Sequence, residues 1–340
     1  MSIRPHLCLV SPALASANNG NWHTASRWAR FLAGRAQVEI VQRWDGVPVD
    51  AMIALHARRS ADSIRRFRAA HPTVPIALVM TGTDLYRDLE THEGARHALQ
   101  CASHVVVLQP EALKRLPPAA LPKTRVIVQS ASRQLRGDAA RGHVGLVSVG
   151  HLRAEKDPLT LLAAVRVLPA DTSVRVVHIG AALDPALGEA ARRTMAQCPH
   201  YRWLGGLPAA ATRRWIARSR ALVHMSVMEG GANVVIEALR SRVPVLASRI
   251  DGNLGLLGAD YAGYFQAGDA AALAALMQRF ADEPHFAGQL AAQCRALESQ
   301  FAPSEEARAV RALLADMLAQ RAARAADTMG LDLHDPAHAP

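Results

Sequence analysis

Aromatic side chains are scarce in this chain, only 4% of its residues. Without interleaved aromatics there is no platform on which the bases of a single-stranded nucleic acid would stack. Cysteine is equally sparse: Cys8, Cys101, Cys198 and Cys294 lie far apart and form no CxxC pair. Neither a disulfide framework nor a thiolate metal site follows from that spacing. No stretch approaches the roughly 18 continuous apolar residues of a membrane span, and the start of the chain lacks a charged region followed by a long apolar run. Lys and Arg never gather into a block, although the net charge is +10. These absences lead us to expect a cytoplasmic protein with no membrane span and no nucleic-acid partner, its positive charge admitting phosphorylated small molecules or an anionic membrane surface.

What is present is a globular composition, 50% apolar and 20% charged. A length of 340 residues suits two domains, each with its own core. Short apolar runs alternate with amphipathic stretches. Strands are expected at Leu7–Val10, Val38–Gln42, Met52–Leu55, Ile76–Met80, Val105–Leu108 and Arg125–Val128. Helices are expected at His23–Leu32, Ala61–Ala70 and Gly94–Ala102. A polar segment, Ser130 to His143, interrupts the series and reads as a linker. Strands resume at Val144–Val149, Val174–Ile179, Arg202–Leu204, Ala221–His224 and Val245–Ala247. Continuous apolar strands alternating with helices imply an α/β chain of parallel sheets covered on both faces. The expected division is a Rossmann-like domain over 1–135, a second over 136–303, a helix over 304–326 returning to the first domain, and a mobile tail over 327–340. Pro303, Ser304, Glu305 and Glu306 supply that helix with an N-cap and an acidic first turn.

The densest chemistry lies at Met225-Ser-Val-Met-Glu229-Gly-Gly-Ala-Asn-Val-Val-Ile-Glu237-Ala-Leu. A buried strand runs into a Gly-rich turn and then a helix, with Glu229 in the turn and Glu237 inside the helix. Free N–H groups at the helix start, Gly230, Gly231, Ala232 and Asn233, suit an anion, and the two carboxylates suit sugar hydroxyls. Upstream, Leu146-Val-Ser-Val-Gly150-His-Leu-Arg153-Ala-Glu-Lys156-Asp157-Pro158 ends a strand and opens a helix. Asp157 as N-cap and Pro158 in the first turn make that start credible. Arg153 and Lys156 there would neutralise a diphosphate leaving group. Asp251-Gly252-Asn253-Leu254-Gly255 is expected to be a flexible loop near the same group.

This order resembles family-4 glycosyltransferases of the GT-B fold. The spacing of Glu229 and Glu237 matches their Glu-x7-Glu signature, and Lys156 matches the phosphate-binding Lys of their Gly-Arg-Leu-x-x-Glu-Lys loop. His151 stands where that family usually has Arg, and Gly255 replaces a usual Glu. The resemblance implies that Glu229 contacts the donor hexose, Gly230 to Asn233 its hydroxyls or phosphate, and Glu237 the ribose. Gly252 and Asn253 would lie beside the diphosphate.

In the first half, Gly20, Asn21, His23 and Thr24 stand at a loop-to-helix junction. Gly20 and Asn21 would meet donor and acceptor, with Asn21 and His23 as candidate catalytic groups. Arg58 and Arg59, ahead of a Ser60 cap, and Thr83 with Asp84 are further candidates for the acceptor. Segments 19–25, 55–60, 81–86, 150–158 and 250–258 together resemble the selenosugar synthases of selenoneine biosynthesis. That resemblance implies transfer of the sugar of a UDP-sugar, UDP-N-acetylglucosamine or UDP-glucose, to selenophosphate with a new carbon–selenium bond. No metal cofactor is expected, because no ligand cluster is visible. A conventional transferase using Asp84 or His23 as base, an epimerase releasing UDP, and a non-catalytic basic nucleotide-binding protein are the other readings.

Overall fold

The computed structural model describes residues 4–14, 19–135, 137 and 142–331. The chain divides into two compact units, one of residues 1–127 with 306–340 and one of residues 128–305. The division thus falls after Ile127, earlier than the expected boundary at 135, because Ile127 packs into the first core while Val128 packs against the second. Much of the polar segment 136–141 and the tail from 332 lie outside the described residues.

The first unit contains β1 (His6–Val10), α1 (Gly20–Leu32), β2 (Gln37–Val41), β3 (Ala51–Leu55), α2 (Ala61–Ala70) and β4 (Ile76–Met80). A π-helical turn at Asp84–Asp88 leads into α3 (Leu89–Thr91), followed by α4 (Glu93–Cys101), β5 (His104–Val107) and β6 (Thr124–Val126). The strands form a parallel sheet in the order β2-β1-β3-β4-β5-β6. β3 and β4 are buried along their whole length, as strands covered on both faces must be. One face packs Trp44, Ile64, Phe67 and Leu99; the other packs Trp28 and Leu32.

The second unit contains β7 (Val144–Val149), α5 (Pro158–Val167), β8 (Val174–Ile179), α6 (Pro185–Gln197), β9 (Tyr201–Trp203), α7 (Ala209–Arg218) and β10 (Ala221–His224). Then come α8 (Asn233–Arg240), β11 (Val245–Ser248), α9 (Asp251–Leu257), β12 (Tyr264–Phe265), α10 (Ala270–Asp282) and α11 (Pro284–Leu297). Its parallel sheet has the order β12-β11-β10-β7-β8-β9. The two-residue β12 was too short to register as an apolar run.

The last helix, α12 (Pro303–Leu331), opens one residue before Ser304, with proline in its first turn. Its Val310, Leu313, Leu314 and Met317 enter the first core at helical spacing. Glu306 lies in its first turn. It is buried, and accepts hydrogen bonds from Arg27 Nε at 2.6 Å, Arg27 Nη2 at 3.1 Å and Trp28 Nε1 at 2.7 Å.

Candidate active site

Sheet order explains why the two motifs of the second unit meet. β7 and β10 are neighbours, yet the chain leaves β7 towards β8 and leaves β10 towards β11, in opposite directions across the sheet. The loops leaving their carboxyl ends therefore diverge around a crevice, the place where open α/β sheets bind ligands. One of these loops carries Arg153 and Lys156, the other Glu229.

The first loop is rigidly turned. Gly150 N–H donates to Ile179 O at 2.9 Å, and the His151 ring accepts from Ala181 N at 3.1 Å. His151, which stands where the resembling family has Arg, therefore braces the loop. A 3-10 turn over Ala154–Lys156 ends at Asp157, a non-glycine residue in left-handed backbone at φ 43°. The Asp157 carboxylate caps α5, accepting from Thr160 N at 3.3 Å and Thr160 Oγ1 at 2.5 Å. That cap compensates for the backbone conformation.

The second loop is tied to the first by Val227 N–H, which donates to Glu155 O at 3.0 Å. Ser248 Oγ donates to Ser226 O at 2.5 Å and holds its other flank. Between the loops the ammonium of Lys156 pairs with Glu229, and His224 Nε2 lies 3.4 Å from the same carboxylate oxygen. Burial of Glu229 opposes ionisation, but Lys156 and His224 outweigh it and hold the carboxyl well below the usual carboxylate range. Glu229 is thus an anion fixed in a shielded crevice.

Gly230, Gly231 and Ala232 lead into α8, which begins at Asn233 with no side-chain cap. The first turn of a helix presents N–H groups without intrahelical partners. Glu237 lies farther along α8, half-buried, its carboxylate 4.0 Å from Arg213 Nη1. Arg153 is more exposed, with Nε 3.9 Å from Glu155.

The segment expected to be a flexible loop at 251–255 is instead helical, the start of α9. Gly252 packs directly on Glu229: a Cβ there would stand 2.4 Å from the Glu229 carbonyl oxygen and 2.8 Å from its Cβ. Asn253 is fully buried and donates to Ser248 O at 2.8 Å and Ser248 Oγ at 3.2 Å. It holds β11 to α9 rather than facing outward.

In the first unit, β1 and β3 are likewise neighbours whose chains depart in opposite directions. Asn19 caps α1 by accepting from Trp22 N at 3.2 Å, so Gly20 and Asn21 occupy the first turn, followed by His23. Thr24 is buried and its hydroxyl donates back to Gly20 O at 2.9 Å. Arg58 Nε lies 3.0 Å from Asp88, whereas Arg59 is exposed. Ser60 does not cap α2; its hydroxyl donates to Leu55 O at 2.6 Å. Asp84 is fully buried, accepting from Ala57 N at 2.9 Å, Gly82 N at 2.7 Å and Thr81 N at 2.9 Å. Thr83 Oγ1 lies 3.1 Å from His56 Nε2.

The sequence reading passed over two histidines, His224 and His56. Each ends or follows a continuous apolar strand, and each is buried. A polar residue at the carboxyl end of such a strand is the signal that would have found them. His56 also has left-handed backbone at φ 70°.

Comparison with known proteins agrees with this fold. Residues 143–283 match the family described as Glycosyl transferases group 1. Sucrose-phosphate synthase of Thermosynechococcus elongatus superposes with a TM-score of 0.75 at 16% identity, covering 93% of this chain and 100% of that one. Anabaena HepE, solved in complex with UDP-glucose, gives 0.72 at 15% identity over 91% and 99% of the two chains. The fold is GT-B. That family match covers less than half of the chain. A curated relative, Glycosyltransferase 1 domain-containing protein 1 of Xenopus tropicalis, is 24% identical over 210 residues. That similarity spans 54% of this chain and 59% of the relative.

Proposed function

We propose that this chain is a UDP-sugar glycosyltransferase whose acceptor is selenophosphate, yielding a selenosugar for selenoneine biosynthesis. The observation that carries the transferase reading is the meeting of Lys156 and Glu229 at the point where the second sheet reverses its strand order. A cation for the diphosphate and a carboxylate for the hexose stand side by side there, as a nucleotide sugar requires. HepE, a protein of the same fold, was solved with UDP-glucose, which supports the donor class.

In this reading Lys156 releases Glu229 to meet the diphosphate, assisted by Arg153 and by the N–H groups from Gly230 to Asn233. Glu229 accepts from hexose hydroxyls and Glu237 from the ribose, with Gly252 giving the donor loop its close packing. The selenium lone pair of selenophosphate attacks the anomeric carbon. The bond from that carbon to the diphosphate oxygen breaks, and UDP leaves with the electron pair, stabilised by the cations; selenium keeps its phosphoryl group until water cleaves the P–Se bond, releasing phosphate and the selenosugar. We assign the acceptor to the first unit: Gly20, Asn21 and His23 in the first turn of α1, with Thr24, Arg58, Arg59 and Thr83.

The acceptor assignment rests on the sequence resemblance. A hydroxyl acceptor needs a base; the Asp84 carboxylate is buried and engaged by backbone N–H groups, which leaves His23 for that role. A selenium anion arrives already deprotonated. Arg153 and Lys156 are assigned the charge of UDP.

Mass spectrometry of the full chain with UDP-N-acetylglucosamine or UDP-glucose, with and without selenophosphate, tests the reading. A selenosugar mass with matching UDP release is expected. UDP release indifferent to selenophosphate removes the selenium assignment, and absence of donor binding removes the transferase.

A further inference from the structure

His224 is assigned no role in the reaction derived above, yet it is the second group to touch Glu229. It closes β10 and is 2% exposed. Its Nε2 lies 3.4 Å from Glu229 Oε1 and 3.2 Å from Ser226 Oγ, while its Nδ1 is buried with no hydrogen-bond partner. This asymmetry fixes where the ring hydrogen belongs. With hydrogen on Nδ1 alone, a bare Nε2 lone pair would face a carboxylate, and a buried N–H would go unpaired. With hydrogen on Nε2, the one ring N–H is shared between Glu229 Oε1 at 3.4 Å and Ser226 Oγ at 3.2 Å, and only an acceptor is left unused.

We propose that His224 is the positioning residue for Glu229, holding its carboxylate towards the donor hexose once Lys156 has moved to the diphosphate. The inference rests on the donor reading given above. Lys156 cannot serve the diphosphate and remain the sole anchor of Glu229. His224 is built into a strand end and has no such freedom. Its hydrogen bond persists when the ammonium departs, so the carboxylate stays aimed without its first partner.

Calorimetric titration of the full chain with UDP and with UDP-glucose, in wild type and in His224→Leu, His224→Gln and His224→Asn, separates the outcomes. The hexose is present only in UDP-glucose. His224→Leu is expected to weaken UDP-glucose binding by about 10- to 100-fold, the worth of one hydrogen bond to a charged group, while UDP binding stays unchanged. Gln places a donor where Nε2 stands and should restore affinity; the shorter Asn should not. Equal loss of both ligands, or equal affinity of Leu and wild type for UDP-glucose, overturns the proposal. Failure of wild type to bind either ligand would instead sink the donor reading beneath it. The 15N shifts of the His224 ring need no ligand and protect the test from a folding defect. Hydrogen on Nε2 is expected, and hydrogen on Nδ1 alone refutes the assignment.

Discussion

Gly252 and Glu229 touch through backbone: a methyl group on Gly252 would stand 2.4 Å from the Glu229 carbonyl oxygen. The Glu229 loop therefore packs on a helix that only glycine allows to approach. Gly252→Ala must push the Glu229 loop away from α9, at a cost of about 1–3 kcal/mol for overpacking. Thermal unfolding should show the loss, and UDP-sugar affinity should fall with it; a variant with unchanged Tm and affinity contradicts the close contact.

The ion pair of Glu229 makes a pH prediction. Its carboxyl sits well below the usual range despite burial, because Lys156 and His224 favour the anion. The unfolded chain, with an ordinary carboxyl near about 4.3, takes up the proton first. The pair thus contributes fully above that pH and is lost progressively as pH falls below it towards the lower folded value. Glu229→Gln should flatten the acid limb of a urea-midpoint profile below about pH 5. Identical limbs in the two proteins would refute it.

Glu306 fastens α12 to the first unit's core through Arg27 and Trp28. Removing it leaves a largely buried guanidinium and an indole N–H without their acceptor. Glu306→Ala should cost on the order of 3 kcal/mol, read as a lowered denaturation midpoint. An effect within the noise of a surface substitution would show that the pair adds nothing.

Asp84 organises three backbone N–H groups at the ends of β3 and β4. Asp84→Ala is expected to destabilise the chain by about 2–4 kcal/mol, since buried donors lose their acceptor. Full stability with abolished turnover would instead restore it to the reacting groups.

Turnover should survive exhaustive treatment with a chelator, because Arg153 and Lys156 carry the diphosphate charge in the proposed reaction. Loss of activity on adding EDTA, recovered with a divalent cation, would overturn that assignment.

The alternation of apolar strands with amphipathic helices was legible in the chain, because strands buried on both faces need continuous apolar runs such as Ile76–Met80 and Val174–Ile179. The strand–turn–helix settings of Glu229, Glu237 and Lys156 were legible too, since such junctions leave a local signature of glycine, proline and capping residues. Strand order was not. That Lys156 reaches Glu229 depends on β7 lying beside β10, a pairing of distant segments settled by packing of whole faces rather than by local propensity. For the same reason the helical Asp251–Leu257, the burial of Asp84 and Glu306, and the contact of His224 with Glu229 were set only by tertiary structure. Local chemistry determined which groups the chain carries; the long-range register of its sheets decided which of them meet.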